Sequence, residues 1–270
     1  MWTEFALAFI FGFFSIYSLG FLFLKTIRFA TFFSLLFAPI ASISFFALLT
    51  SLYSFLNIPC NNFSVLFLPL LILGITFLLT HKFLVNKTPI AAITFSKNNL
   101  LMLCFYIFVG LLLCVTFFIK SLDGANSFYN GYDNITHINL VQAFVNSDVW
   151  STFSTSNYLA SPVSPKIYSG QFYPSGWHYI VAIVVQTLKI PIPIAINAIN
   201  SVFIGLIYPS SVFFLLYSLF EKDQTSVMLG PIVMLGFTAF PWALILKGPL
   251  YPNLASLCLM PLAIACFVIF

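Results

Sequence analysis

Charge is what this sequence has least of. Lys and Arg number 10 and Asp and Glu 6, so charged residues are 6% of 270. A water-soluble domain keeps about a quarter of its residues charged. With 61% apolar residues and a mean hydropathy of +1.07, the chain cannot cover a globule with polar surface. It reads as an integral membrane protein. The net charge of +4 therefore bears on topology, and no nucleic acid is expected as a partner.

Other absences narrow the field further. The five cysteines show no CxxC or Cys/His metal spacing. Cys104, Cys114, Cys258 and Cys266 fall in apolar runs and Cys60 in a short polar turn, so free structural thiols are expected. No glycine pattern of a nucleotide-binding loop occurs. No basic segment or small-residue cleavage site marks the first apolar run, which reads as a retained span. Repeats, low-complexity tracts and heptads are missing too.

Long apolar runs fill the rest. A span needs about 20 apolar residues to cross roughly 30 Å of hydrocarbon. Phe5–Leu24, Phe29–Phe55, Phe63–Thr80 and Leu100–Ile119 qualify, with Pro39 as an expected kink. The loops after the first and third runs hold Lys25, Arg28, Lys82, Lys87 and Lys97 and no acid. Basic loops favour the cytoplasmic side, so residues 120–193 are expected outside a multi-pass cell-membrane protein. The expected organisation is a four-span region at 1–119, an extracytoplasmic loop at 120–193, and further spans at 194–270. Leu254–Phe270 ends on "CFVIF" without a polar flank, as expected of a piece of a longer protein.

Gly176–Leu188 is apolar but only 13 residues long, about 20 Å as a helix. Read as a juxtamembrane or re-entrant helix, it leaves Ile194–Phe220 to cross inward and Val227–Leu246 to return. Read as a true span, it reverses the sides of Lys189, Glu221 and Lys247. Charge bias slightly favours the second reading, and length favours the first.

Three motifs could carry chemistry. In "GYDNITHINLVQAFVNSDVW", Gly131 to Trp150, Asp133 reads as the N-cap of an amphipathic helix. His137 lies four residues on, hence on the same face. The two fit a base with its orienting partner, two ligands of a divalent ion, or merely a cap with a solvated ring. In "FYPSGWHYIVAIV", Phe172 to Val184, Tyr173 and Trp177 suit either an interfacial collar or a site wall. His178 at the start of an apolar helix needs a polar partner. Lys166 is the one cation of the Pro-rich loop before it and could meet a phosphate. "FPWALILKGPLYPNLA", Phe240 to Ala255, brings Tyr251 and Asn253 to a second loop of similar make.

Together these motifs resemble the GT-C class of polytopic membrane glycosyltransferases, and a bacterial membrane-protein family related to it. The resemblance covers about half the chain, roughly Asp123–Leu262. It implies an all-α, GT-C-like fold whose outer loop carries short juxtamembrane helices. It also implies a lipid-phosphate-linked sugar donor used in envelope glycan assembly, with membrane lipid around the spans. Asp133 would be the catalytic base, assisted by His137. His178, Trp177, Tyr173, Lys166, Tyr251 and Asn253 would line the substrate site, and a divalent metal ion is a possible cofactor. The sequence departs from that pattern in three ways. Asp133 is followed by Asn134, so there is no acidic pair. Asn253 stands where many such proteins carry an acid, and four runs precede the outer loop. A transporter or flippase, or a non-catalytic envelope-assembly protein, stays open as the alternative.

Overall fold

A computed structural model describes residues 1–84, 96–153, 155–159, 166–169, 172–220, 223–236, 240–246 and 250–269. The fold is a helical bundle with one small hairpin. Its long helices are α1 (Trp2–Thr26), α2 (Thr31–Phe55), α3 (Leu68–Leu84, entered through a π turn at Phe63–Phe67) and α4 (Lys97–Leu113, extended by a π turn at Cys114–Phe118). Then come α5 (Tyr132–Asn146), strands β1 (Ser156–Leu159) and β2 (Lys166–Ser169), α6 (Gly176–Leu188) and α7 (Ile192–Val202). A π turn, Phe203–Ile207, joins α7 to α8 (Tyr208–Leu219), and α9 (Gln224–Gly236), α10 (Trp242–Leu246) and α11 (Tyr251–Ile269) follow. Among the described residues, six helices are long and apolar enough to cross a membrane.

The helix ends follow from local chemistry. Arg28, Asn57 and Lys189 take left-handed φ values of 74°, 55° and 56°, just past the ends of α1, α2 and α6. Such a residue stops the helix and turns the chain, and a basic side chain there also suits the negative end of the helix dipole. Ser96 opens α4 by accepting from the Asn99 N–H at 3.2 Å. Pro191 precedes α7, where no intrahelical N–H is required.

Pro39 sits inside a continuous, largely apolar α2. Its surroundings are packed by small residues: a Cβ on Gly20 would lie 2.1 Å from the Ala38 carbonyl, and the Gly20 N–H donates to Ser42 Oγ at 2.7 Å. Close backbone approach of this kind is how small residues hold membrane helices together. Val227–Leu246, expected as a single return span, contains two described helices, α9 and α10. The Pro-rich loop supplies β2 of an antiparallel hairpin with β1, pairing Ser156 with Ser169 and Leu159 with Lys166. Lys87, Glu221 and Lys247 lie outside the described residues.

Contacts define two ends of the bundle. Leu24, Phe33, Phe37, Phe214, Leu262 and Ala265 share one apolar cluster at the far end. At the other, here the loop end, Asn197 of α7 donates to the carbonyls of Ala125 and Ser127, at 3.1 and 2.8 Å. The chain thus leaves α4 and enters α7 at the same end of the bundle. The C-terminus of α6 agrees. Gln186 accepts from the Asn62 N–H at 2.8 Å, and Thr187 Oγ1 accepts from its amide at 3.1 Å, in the turn that joins α2 to α3. At its start, α6 reaches Ile43 in the middle of α2. Trp177 through Val185 are all buried, because α1, α2, α5, α7 and α11 surround this short helix. Its apolar character on every face is explained by protein contact alone.

Candidate functional site

The site grows from three helix beginnings, those of α5, α6 and α11. α5 starts after Gly131, whose extended backbone occupies the cap position. The expectation that Asp133 is the N-cap is therefore corrected by two residues. Asp133 lies in the first turn, half-buried, where a carboxylate still complements the positive end of the helix dipole. One turn on, His137 is buried.

His137 meets a residue that helical spacing could not reveal. Its Nδ1 lies 3.1 Å from Nε2 of His178, so one imidazole donates to the other across 41 residues of sequence. His178 is 0% exposed, and its Nδ1 has no hydrogen-bond partner among the described residues. Burial, reinforced by neighbouring His137, holds the His178 pKa well below its ordinary value. The ring is neutral at physiological pH.

Aromatic rings wall in this pair. Trp177 and Tyr251 stack at 5.2 Å, and each faces His137, at 5.9 and 5.5 Å. Tyr173 stands edge-on to His178 at 5.5 Å. Burial raises the Tyr173 pKa, and the charge of Asp133 raises it further, which couples that carboxylate to the wall. Trp177 faces inward: it is buried, and its indole N–H donates to Asn200 Oδ1 at 3.2 Å. Asn200 went unremarked in the sequence. The available signal was the pair Asn197 and Asn200, three apart and so on one face of an otherwise apolar helix.

Beside Trp177 opens a cavity of about 280 Å³. Ile43, Thr152, Pro174, Ser175 and the exposed Asn253 line it, so α2, α6 and α11 all contribute. Lys166 lies on β2, and its side chain falls outside the described residues. The structure thus brings Asp133, His137, Tyr173, Trp177, His178 and Tyr251 into one neighbourhood, with Asn253 at the adjoining cavity. For a metal ion the donors do not fit. Among the described residues no three of His, Cys, Asp and Glu converge.

Residues 13–270 match a family described as a family of unknown function (DUF6541). The chain belongs to that family. No curated protein and no solved structure matches it.

Proposed function

We propose that the chain is a cell-membrane glycosyltransferase that takes its sugar from a lipid phosphate and serves envelope glycan assembly. One observation carries the reading. A half-exposed carboxylate, Asp133, borders a dry wall of imidazole and aromatic rings next to a cavity. A base needs access to its proton, whereas the groups that hold a substrate gain from exclusion of water. On this reading the loop end faces away from the cytoplasm, and a lipid tail lies along the apolar helices.

The reaction would be a substitution at the anomeric carbon. The acceptor hydroxyl oxygen bonds to that carbon, and the carbon–oxygen bond to the phosphate breaks. The phosphate departs with the electron pair, and Asp133 takes the hydroxyl proton. His137 and His178 act as a hydrogen-bonded pair that positions the wall, and Trp177 and Tyr251 offer flat faces to a sugar or its lipid. No step runs through a metal.

The test is the profile of lipid-linked sugars and envelope glycans in cells carrying Asp133→Asn. Loss of a product, with the protein at wild-type level, supports the reading. An unchanged profile at equal protein level overturns it and favours a transport or assembly role.

A further inference from the structure

A second cavity, of about 250 Å³, lies at the loop end on the other side of Tyr251. The segment from Ser121 to Tyr129 forms its rim, with Asn197, Ile245 and Tyr251 behind. Three features mark it as built. The rim is held in shape by two buried amides: Asn197 donates to the carbonyls of Ala125 and Ser127, and Asn134 donates to that of Tyr129 at 2.7 Å. Gly131 lets the Tyr129 ring lie close, since a Cβ there would come within 2.6 Å of it. Within this fixed frame Phe128 and Tyr129 stay 52% and 59% exposed.

The lining selects a chemical class. Asp123 supplies a carboxylate, Asn197 an amide oxygen and Ser127 a hydroxyl, while Tyr129 and Tyr251 supply ring faces and phenol groups. Among the described residues no Lys, Arg or His lines the cavity, so an anion finds no counter-charge there. An apolar ligand would strand the acid and the amide. Ring faces combined with hydrogen-bonding groups suit a molecule that has one apolar C–H face and a rim of hydroxyls. We infer that this cavity binds one uncharged sugar ring. The ring's hydroxyls bond Asp123 and Asn197, and its C–H face lies on Tyr129. The inference does not rest on the transfer reaction, since a sugar can be recognised without being transferred.

The experiment is saturation-transfer NMR on the purified full chain in detergent, with the methyl glycosides of glucose, galactose, mannose and N-acetylglucosamine as probes. At least one gives a signal in the wild type. Tyr129→Ala weakens its apparent affinity about tenfold, the size of one lost ring contact. Asp123→Asn weakens it at least about tenfold, because a hydrogen bond to a charged group is lost. Both side chains are exposed, so both variants should elute and melt as the wild type does. Asp133→Asn, expected to abolish transfer, keeps the sugar signal, so the two readings fail separately. Silence from all four sugars overturns the inference and leaves Phe128 and Tyr129 as membrane-interface aromatics. Equal signals in the wild type and both variants overturn it as well. So does binding by a cationic amino sugar alone, which would make Asp123 an ammonium site.

Discussion

Acid should loosen this protein through one ring. His178 is fully buried, holds His137 and is kept neutral by burial. Its folded pKa lies well below the ordinary 6.5, so below pH 6.5 the unfolded chain binds a proton that the folded chain refuses. Stability therefore falls as the pH drops through that value. The slope approaches about 1.4 kcal/mol per pH unit for one group, so reaching about pH 5 costs about 2 kcal/mol. For a chain of this size that is a fall of about 4–8 °C in the melting temperature. The assay is thermal unfolding in detergent, followed by tryptophan emission, from about pH 7.5 to about pH 5. His178→Phe keeps an aromatic ring and removes the titration. It should melt lower at neutral pH and lose most of the acid-dependent fall. His81→Gln, the control, should keep the fall. A flat wild-type profile, or a His178→Phe variant with the full drop, would refute the reasoning.

Two further outcomes are expected. Asn200→Ala leaves the buried Trp177 indole N–H unpartnered and should destabilise the fold by about 1–3 kcal/mol, read as a lowered melting temperature. Trp177→Phe in the same background should recover part of that loss, because it removes the stranded donor. Single cysteines at Asp148 and Thr225, in a background with the native thiols replaced, should react with an impermeant thiol reagent from opposite sides. Asp148 lies at the loop end through its carbonyl bond to the Cys60 N–H, and Thr225 opens α9 beyond the far-end residue Phe214. Labelling of both from one side would mean that α6 carries the chain across.

The sequence by itself determined that the chain belongs in lipid, because so few charges cannot hydrate a surface of this size. It also determined most of the helix runs to within a few residues, since length and apolarity are local properties. Phe5–Leu24 widened to Trp2–Thr26, and Gly176–Leu188 kept its bounds. Where a segment depends on its neighbours, local reading failed. The cap of α5 moved from Asp133 to Gly131, because the fold of the preceding loop decides where the helix begins. A 13-residue apolar stretch looks the same whether lipid or protein surrounds it, and only the packed bundle showed protein on every side of α6. The site shows the same division. Asp133, His137, Trp177 and His178 stand out in the sequence by their chemistry. That His137 pairs with His178 and that Trp177 finds Asn200 were decided by the tertiary structure. Those contacts span 41 and 23 residues, and no spacing rule within one helix reaches that far.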